Sequence, residues 1–257
     1  MKIKDVLDKI EKFAPLEISQ DIINNGGYDN SGLIIGDREE EITGIVLAID
    51  LSNEALDLAM GKNANLIITH HPFIYAPVST ITEDNIKGKL ILRAIKQGVN
   101  VYSTHLCMDM TKGGIDDTVA LMLGINIESV FEKGEGYSYG KLGKIPFNTL
   151  QEFIDNAKSQ FDYVHYLGNA KKEISTACSF CGQGTDGKTI AFAIENKVDV
   201  YVSCDIKHHE VFELYENGIA VVNLAHGESE FKAFVKIFEK LELEVPVSVC
   251  ETDFKMI

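Results

Sequence analysis

From residue 42 onward, short apolar runs alternate with stretches whose apolar residues recur every three or four positions. The runs "ITGIVLAID" (42–50), "NLIIT" (65–69) and "NVYST" (100–104) are short and rich in β-branched side chains, so they read as strands. Between them, "NEALDLAMGK" and "DNIKGKLILRAIKQG" carry helical spacing, and each closes near glycine or asparagine. Strand, helix and strand in alternation predict βαβ units and a largely parallel sheet. At the amino terminus, "MKIKDVLDKIEKFAP" sets Ile3, Val6, Leu7, Ile10 and Phe13 on one face of an amphipathic helix.

After "GGIDDTVALMLG" the passage from Ile125 to Tyr139 loses its apolar period and collects turn residues, which marks a domain boundary. The alternation then resumes with strands at "KLGKI", "YVHYLG", "ISTACSF", "VDVYVSC", "IAVVNLA" and "VPVSV", and helices at "NTLQEFIDNAKSQF", "TIAFAIENK", "KHHEVFELYENG" and "ESEFKAFVKIFEKL". The expected fold is therefore α/β, with two lobes of mainly parallel or mixed sheets flanked by helices. Residues 1–127 together with 225–257 form the first expected lobe, and 128–224 the second. Open α/β sheets bind ligands beyond the carboxyl ends of their strands, so a site is expected at those ends, between the lobes.

A length of 257 residues admits one large or two small domains, and 45% hydrophobic with 25% charged residues is the composition of a folded chain. No apolar run approaches the roughly 18 residues of a membrane span. The amino terminus lacks a secretory apolar core and cleavage site, and five cysteines in no framework spacing suit a reducing compartment, so the expected location is the cytoplasm. Twenty-four basic against 39 acidic residues give a net charge of −15, which repels phosphate backbones. Sequence-blind nucleic-acid binding is not expected, although a local basic pocket or a metal still allows one phosphate to be held.

Within that frame the histidines stand out. His70 and His71 end a strand run and precede Pro72, which stops the ladder and keeps His71 extended. Consecutive strand residues face opposite sides, so both imidazoles reach one region only where the strand ends, and two adjacent ligands can then address two neighbouring cations. The next run ends in "STHLCMD", which supplies His105, Cys107 and Asp109; a third, "NLAHGESE", opens a helix with His226 and Glu230 four residues apart on one face. A histidine at a strand end also serves as an ordinary hydrogen-bonded surface residue; it is the convergence of three strand ends that points to metal. An N/O donor set of this kind suits zinc, iron, manganese or cobalt, with water or hydroxide in the open positions.

Together, "DNSGLIIG", "LAIDLSNEALDLAMGKNANLIITHHPFIY", "VYSTHLCMD", "CGQGTDGKTIAFAIENKVDVYVSCDIKHH" and "NLAHGESE" resemble the NIF-three-like family (Ngg-one-interacting factor three). Its bacterial members are also labelled homologues of GTP cyclohydrolase I type two. The resemblance runs from the first segment to the last, and it implies that His70, His71, Asp109, His226 and Glu230 bind two divalent metal ions per chain. It also implies a ring-shaped homohexamer. Some members carry an inserted domain between the halves, for which this chain is too short. Asp29, in the Gly-rich turn "NGGYDNSG", lies in a family signature near the site, although aspartate there is also an ordinary turn former.

Two cations a few ångströms apart repel, so bridging oxygens are required; Asp109 and Glu230 are the candidates. A hydroxide held between them is a nucleophile at neutral pH, and hydrolysis of a small nucleotide-like or phosphorylated substrate is the expected reaction. His105, His208 and His209 are the candidate proton donors, or else supports, caps and turn formers. "HHE" is not the zincin pattern, since no histidine follows three residues after Glu210. The alternative from another class is a metal-binding regulatory or metal-delivery protein without turnover.

A competing motif is "GQGTDGKT" at 182–189, which satisfies the G-x-x-x-x-G-K-[ST] pattern of a phosphate-cradling loop. Too little chain follows Lys188 to complete an ordinary nucleotide-binding domain, so a P-loop NTPase is the minor reading, though the loop amides and Lys188 remain able to hold a substrate anion. Cys178 and Cys181 form C-x-x-C, and Cys107 and Cys204 lie at other strand ends. Cys204 stands where the family pattern has glycine and Cys178 is additional, which leaves a thiolate ligand or an iron–sulfur site open.

Overall fold

The computed structural model describes residues 1–251. Contacts divide the chain into two compact units, one formed by Met1–Thr111 and the segment that starts at Phe234, the other by Lys112–Ala233.

The first unit is built on a five-stranded sheet in the order β1-β4-β3-β2-β11, from β1 (Gly32–Ile35), β2 (Ile45–Ala48), β3 (Leu66–Thr69), β4 (Asn100–Ser103) and β11 (Val247–Val249). Strands β4, β3, β2 and β11 run parallel, and β1 joins the edge antiparallel. Every residue of β2, β3 and β4 is buried, which is why these segments read as unbroken apolar runs. Helix α1 (Ile3–Phe13) buries Ile3, Val6, Leu7 and Ile10, the stripe expected from its spacing. Ser52 and Asn85 cap α3 (Asn53–Gly61) and α4 (Ile86–Lys96) by accepting the amides of Ala55 and Gly88. One core packs Val46, Ile67 and Val101 of the sheet against Leu56 and Ala59 of α3 and Leu90 and Ala94 of α4.

Two short helices escape the sequence pattern. Helix α2 (Leu16–Asn24) follows Pro15 at its amino cap, and α5 (Leu106–Met110) is a single five-residue turn after β4.

The second unit carries a six-stranded mixed sheet, β5-β6-β8-β9-β10-β7. Strands β8 (Thr176–Ser179), β9 (Val200–Cys204) and β10 (Ala220–Leu224) are parallel; β7 (Val164–Leu167) and the hairpin of β5 (Asn126–Gly134) and β6 (Tyr137–Lys144) are antiparallel. The passage read as turn-rich is thus the β5–β6 hairpin. Most of β5 is exposed or half-exposed, so no buried face imposes an apolar alternation on it. Helices α6 (Ile115–Met122), α7 (Leu150–Gln160), α8 (Gly187–Glu195) and α9 (His208–Glu216) complete the unit, and Ile190, Ala193 and Leu214 pack on Cys178, Tyr201 and Val221 of the sheet. Helix α10 (His226–Lys240) begins here, while its residues from Phe234 onward belong to the first unit.

Register decides where the chemistry emerges. In the first sheet Ala48 pairs with Thr69 and Thr69 with Ser103, so the chain leaves β2, β3 and β4 at one level. In the second sheet Cys204 pairs with Leu224, and Ser179 pairs with Val202 two positions before that level. Among the described residues no helix is long and apolar enough to cross a membrane.

Candidate metal centre

In the first unit, His70 and His71 leave β3 with their amides still donating to Ala48 and Ile49 carbonyls, and the ladder stops at Pro72. The His71 carbonyl is held by the hydroxyls of Thr69 (2.8 Å) and Ser103 (3.3 Å). Their rings lie 4.9 Å apart, centroid to centroid, and His105, the residue before α5, brings its ring within 5.4 Å of His70 and 5.8 Å of His71. One ligand atom from each of His70, His71 and His105 falls within 4.8 Å of the others. Asp109 sits one helical turn after His105, buried, with Oδ1 3.4 Å from His70 Nε2.

What fixes these rings is the atom on their other side. His70 is fully buried, and its Nδ1 lies 3.0 Å from the Thr104 carbonyl oxygen. A carbonyl only accepts, so Nδ1 carries the proton and Nε2 is the atom that could take a metal ion. His71 Nδ1 donates to Asp50 Oδ1 at 3.0 Å, and His105 Nδ1 to Asp29 Oδ1 at 2.8 Å. Asp29 is itself buried and accepts the hydroxyls of Ser19 (2.6 Å) and Ser31 (2.7 Å). Burial pushes the Asp29 carboxyl up, but hydrogen bonds from His105, Ser19 and Ser31 together outweigh it and hold the group below the ordinary aspartate value. It is therefore an anion at neutral pH.

The second unit repeats the device. His226 opens α10, donates through Nδ1 to Asp205 Oδ2 at 2.7 Å, and turns Nε2 to Glu230 Oε2 at 3.0 Å, one helical turn on. Asp205 takes a left-handed backbone conformation, φ +53°, immediately after β9. Glu230 is buried, and the Cys181–Gly182 turn at the end of β8 closes over it: a Cβ on Gly182 would stand 2.7 Å from Glu230 Oε1 and 3.5 Å from His226 Nε2.

In both units, then, an imidazole whose Nδ1 proton is already committed presents a lone-pair nitrogen to a carboxylate oxygen. Two acceptors do not hold each other at 3.0–3.4 Å without a positive charge between them, either a proton or a metal ion. The donor set could hold a metal ion: N and O atoms, half of it buried, with each ring oriented from behind by a carboxylate or carbonyl.

The other sequence candidates lie elsewhere. His208 and His209 are exposed on the first turn of α9, and neither belongs to a group of three potential ligands among the described residues. No cysteine does either. Cys107, Cys178 and Cys204 are buried free thiols, and burial pushes each above its ordinary value, Cys107 to about 12, which opposes the thiolate that a metal requires. The Gly-rich loop is not set to cradle phosphate. Asp186 caps α8 and its carboxylate already takes the amides of Lys188 and Thr189, the donors that a phosphate would need.

Three groups had no individual signal in the sequence: Asp50, Asp205 and the Thr104 carbonyl. The two aspartates end strand runs, "LAID" and "VSCD", at the same levels as the histidines they hold. That position was the only available clue.

Comparison with known proteins finds relatives along nearly the whole chain. Residues 1–256 match the family described as Duf34/NIF3 (NGG1p interacting factor 3). A Clostridium acetobutylicum protein named GTP cyclohydrolase 1 type 2 homolog is 34% identical over 249 residues, which cover 94% of this chain and 90% of the relative. A Clostridium perfringens protein of the same name is 32% identical over 248 residues, 94% of this chain and 92% of the relative. The fold is shared with a Staphylococcus aureus hypothetical protein of known structure, at a TM-score of 0.86 and 22% identity over 100% of this chain and 99% of that one.

Proposed function

The chain belongs to the Duf34/NIF3 family, and on that premise we propose that it is a metal-dependent hydrolase of a small nucleotide-like or phosphorylated substrate, with two divalent cations held by His70, His71, Asp109, His226 and Glu230. One observation carries the reading: His70, His71 and His226 each commit Nδ1 to an oxygen acceptor, and two of them aim Nε2 at a buried carboxylate.

Divalent cations held there would supply Lewis acidity, lowering the pKa of water and polarising a phosphoryl or carbonyl oxygen. The chain's own residues do the rest. Asp109 and Glu230 would hold such cations through their carboxylate oxygens. His105, the histidine assigned proton transfer, handles a proton at Nε2 while Asp29 holds Nδ1–H and fixes the tautomer. Exposed His208 and His209 take no part in this scheme.

Metal analysis of the purified chain and a hydrolysis screen over nucleotides, phosphoesters and cyclic amides test the proposal. The expected result is near two equivalents of metal, with turnover that disappears in His71→Ala and survives Lys188→Ala. Metal without turnover across the panel would replace hydrolysis with metal binding or delivery. Loss of turnover at Lys188 instead would restore the phosphate-loop reading.

A further inference from the structure

Away from these residues, the second unit holds a largely buried ionic network. Lys141 on β6 is 0% exposed, as is Asp116 in the first turn of α6. The Lys141 ammonium lies 2.8 Å from Asp117 Oδ1 and 3.4 Å from Asp116 Oδ2, and donates to the Ser138 hydroxyl at 2.6 Å and the Ser138 carbonyl at 3.1 Å. A buried pair of this kind gives little net stability over apolar residues of similar size, so stability alone does not explain it.

The other carboxylate oxygen of Asp116 supplies a further reason. Asp116 Oδ1 accepts the Cys181 amide at 3.1 Å, the Tyr139 hydroxyl donates to the Cys181 carbonyl at 2.7 Å, and the Cys204 amide donates to the Gly182 carbonyl at 3.1 Å. The turn is thus gripped at three backbone atoms. It is the same turn whose Gly182 stands against Glu230 and His226, in a left-handed conformation (φ +62°) where an added side chain would displace the Glu230 carboxylate.

We propose that Asp116 and Lys141 are positioning residues for the metal centre: Lys141 orients Asp116, Asp116 holds the Cys181 amide, and the Gly182 backbone then fixes the carboxylate of Glu230. The inference rests on the reading of Glu230 and His226 as ligands.

Cobalt(II) titration of the full chain tests it, because the visible ligand-field bands report coordination geometry rather than global folding. The double variant Asp116→Leu/Lys141→Met removes both fully buried charges together and leaves Asp117, which is partly exposed and still accepts the Gly113 amide. With the thermal midpoint of the metal-free protein unchanged, it is expected to shift the bands and weaken cobalt binding by roughly tenfold or more, the usual effect of losing support behind a ligand. Wild-type bands and affinity in the folded double variant would overturn the proposal. Should that variant fail to fold, Tyr139→Phe loosens the same turn by one hydroxyl: shifted bands support the proposal, and unchanged bands overturn it. A wild-type protein without cobalt bands would instead remove the metal reading itself, so the two failures are distinguishable.

Discussion

Asp50 and Asp205 do their work by holding a proton in place. Each accepts Nδ1–H from a candidate ligand histidine, and each is exposed, so neither pair contributes much to folding stability. Asp50→Ala and Asp205→Ala are accordingly expected to weaken metal binding by roughly 10–100-fold, measured by competition with a chromophoric chelator, with no change in the thermal midpoint of the metal-free protein. Asp116 behaves in the opposite way. Its burial, only partly offset by Lys141 and the Cys181 amide, pushes its carboxyl up to about 6. A raised carboxyl binds its proton more tightly in the fold than in the unfolded chain, so the stabilising effect is fullest below about pH 4 and is lost as pH rises to about 6. The difference in unfolding free energy between wild type and Asp116→Asn should therefore change by roughly 3 kcal/mol across that window, as read from denaturant titrations at each pH; a constant difference would contradict it. At this scale the histidines and acids were legible because their residue types are rare and specific. Their partners were not, since nothing in "LAID" ties Asp50 to His71 until the register of Ala48 with Thr69 brings the two strand ends together.

At the level of the element, the caps and turns separate the metal reading from the phosphate loop. Removing the Asp186 cap of α8 by Asp186→Ala should cost about 1 kcal/mol in chemical denaturation and leave metal binding intact. Gly182→Ala should do the reverse. The added methyl meets Glu230 in a backbone conformation that alanine adopts poorly, so metal affinity should fall even where the protein stays folded, as isothermal titration will show. The parallel strands and the long helices could be read from pattern, because burial on both faces or on one stripe leaves a periodic record. Helix α5 could not, being five residues of mixed type whose role is to carry Asp109 one turn past His105. Strand β5 could not either, because its exposed residues keep no alternation, and β1 has only one buried residue in four.

On the scale of the whole molecule, the proposed metal and the net charge each have a measurable effect. A ligand that binds only the folded chain stabilises it by mass action, by about 2.7 kcal/mol at a hundredfold excess over Kd, so adding a chelator should lower the thermal midpoint and restoring metal should recover it. The composition announced an acidic folded protein; it could not announce which strands would border the sheets, since that depends on pairing. Those borders have a colloidal consequence. Strands β1, β11, β5 and β7 end the two sheets, and Val247, Val249, Tyr166 and Leu167 on two of them are exposed. Fifteen units of like charge hold such borders apart in dilute buffer. Molar salt shortens the reach of that repulsion to about 3 Å, so light scattering should show a second virial coefficient that turns from positive to negative as salt is added.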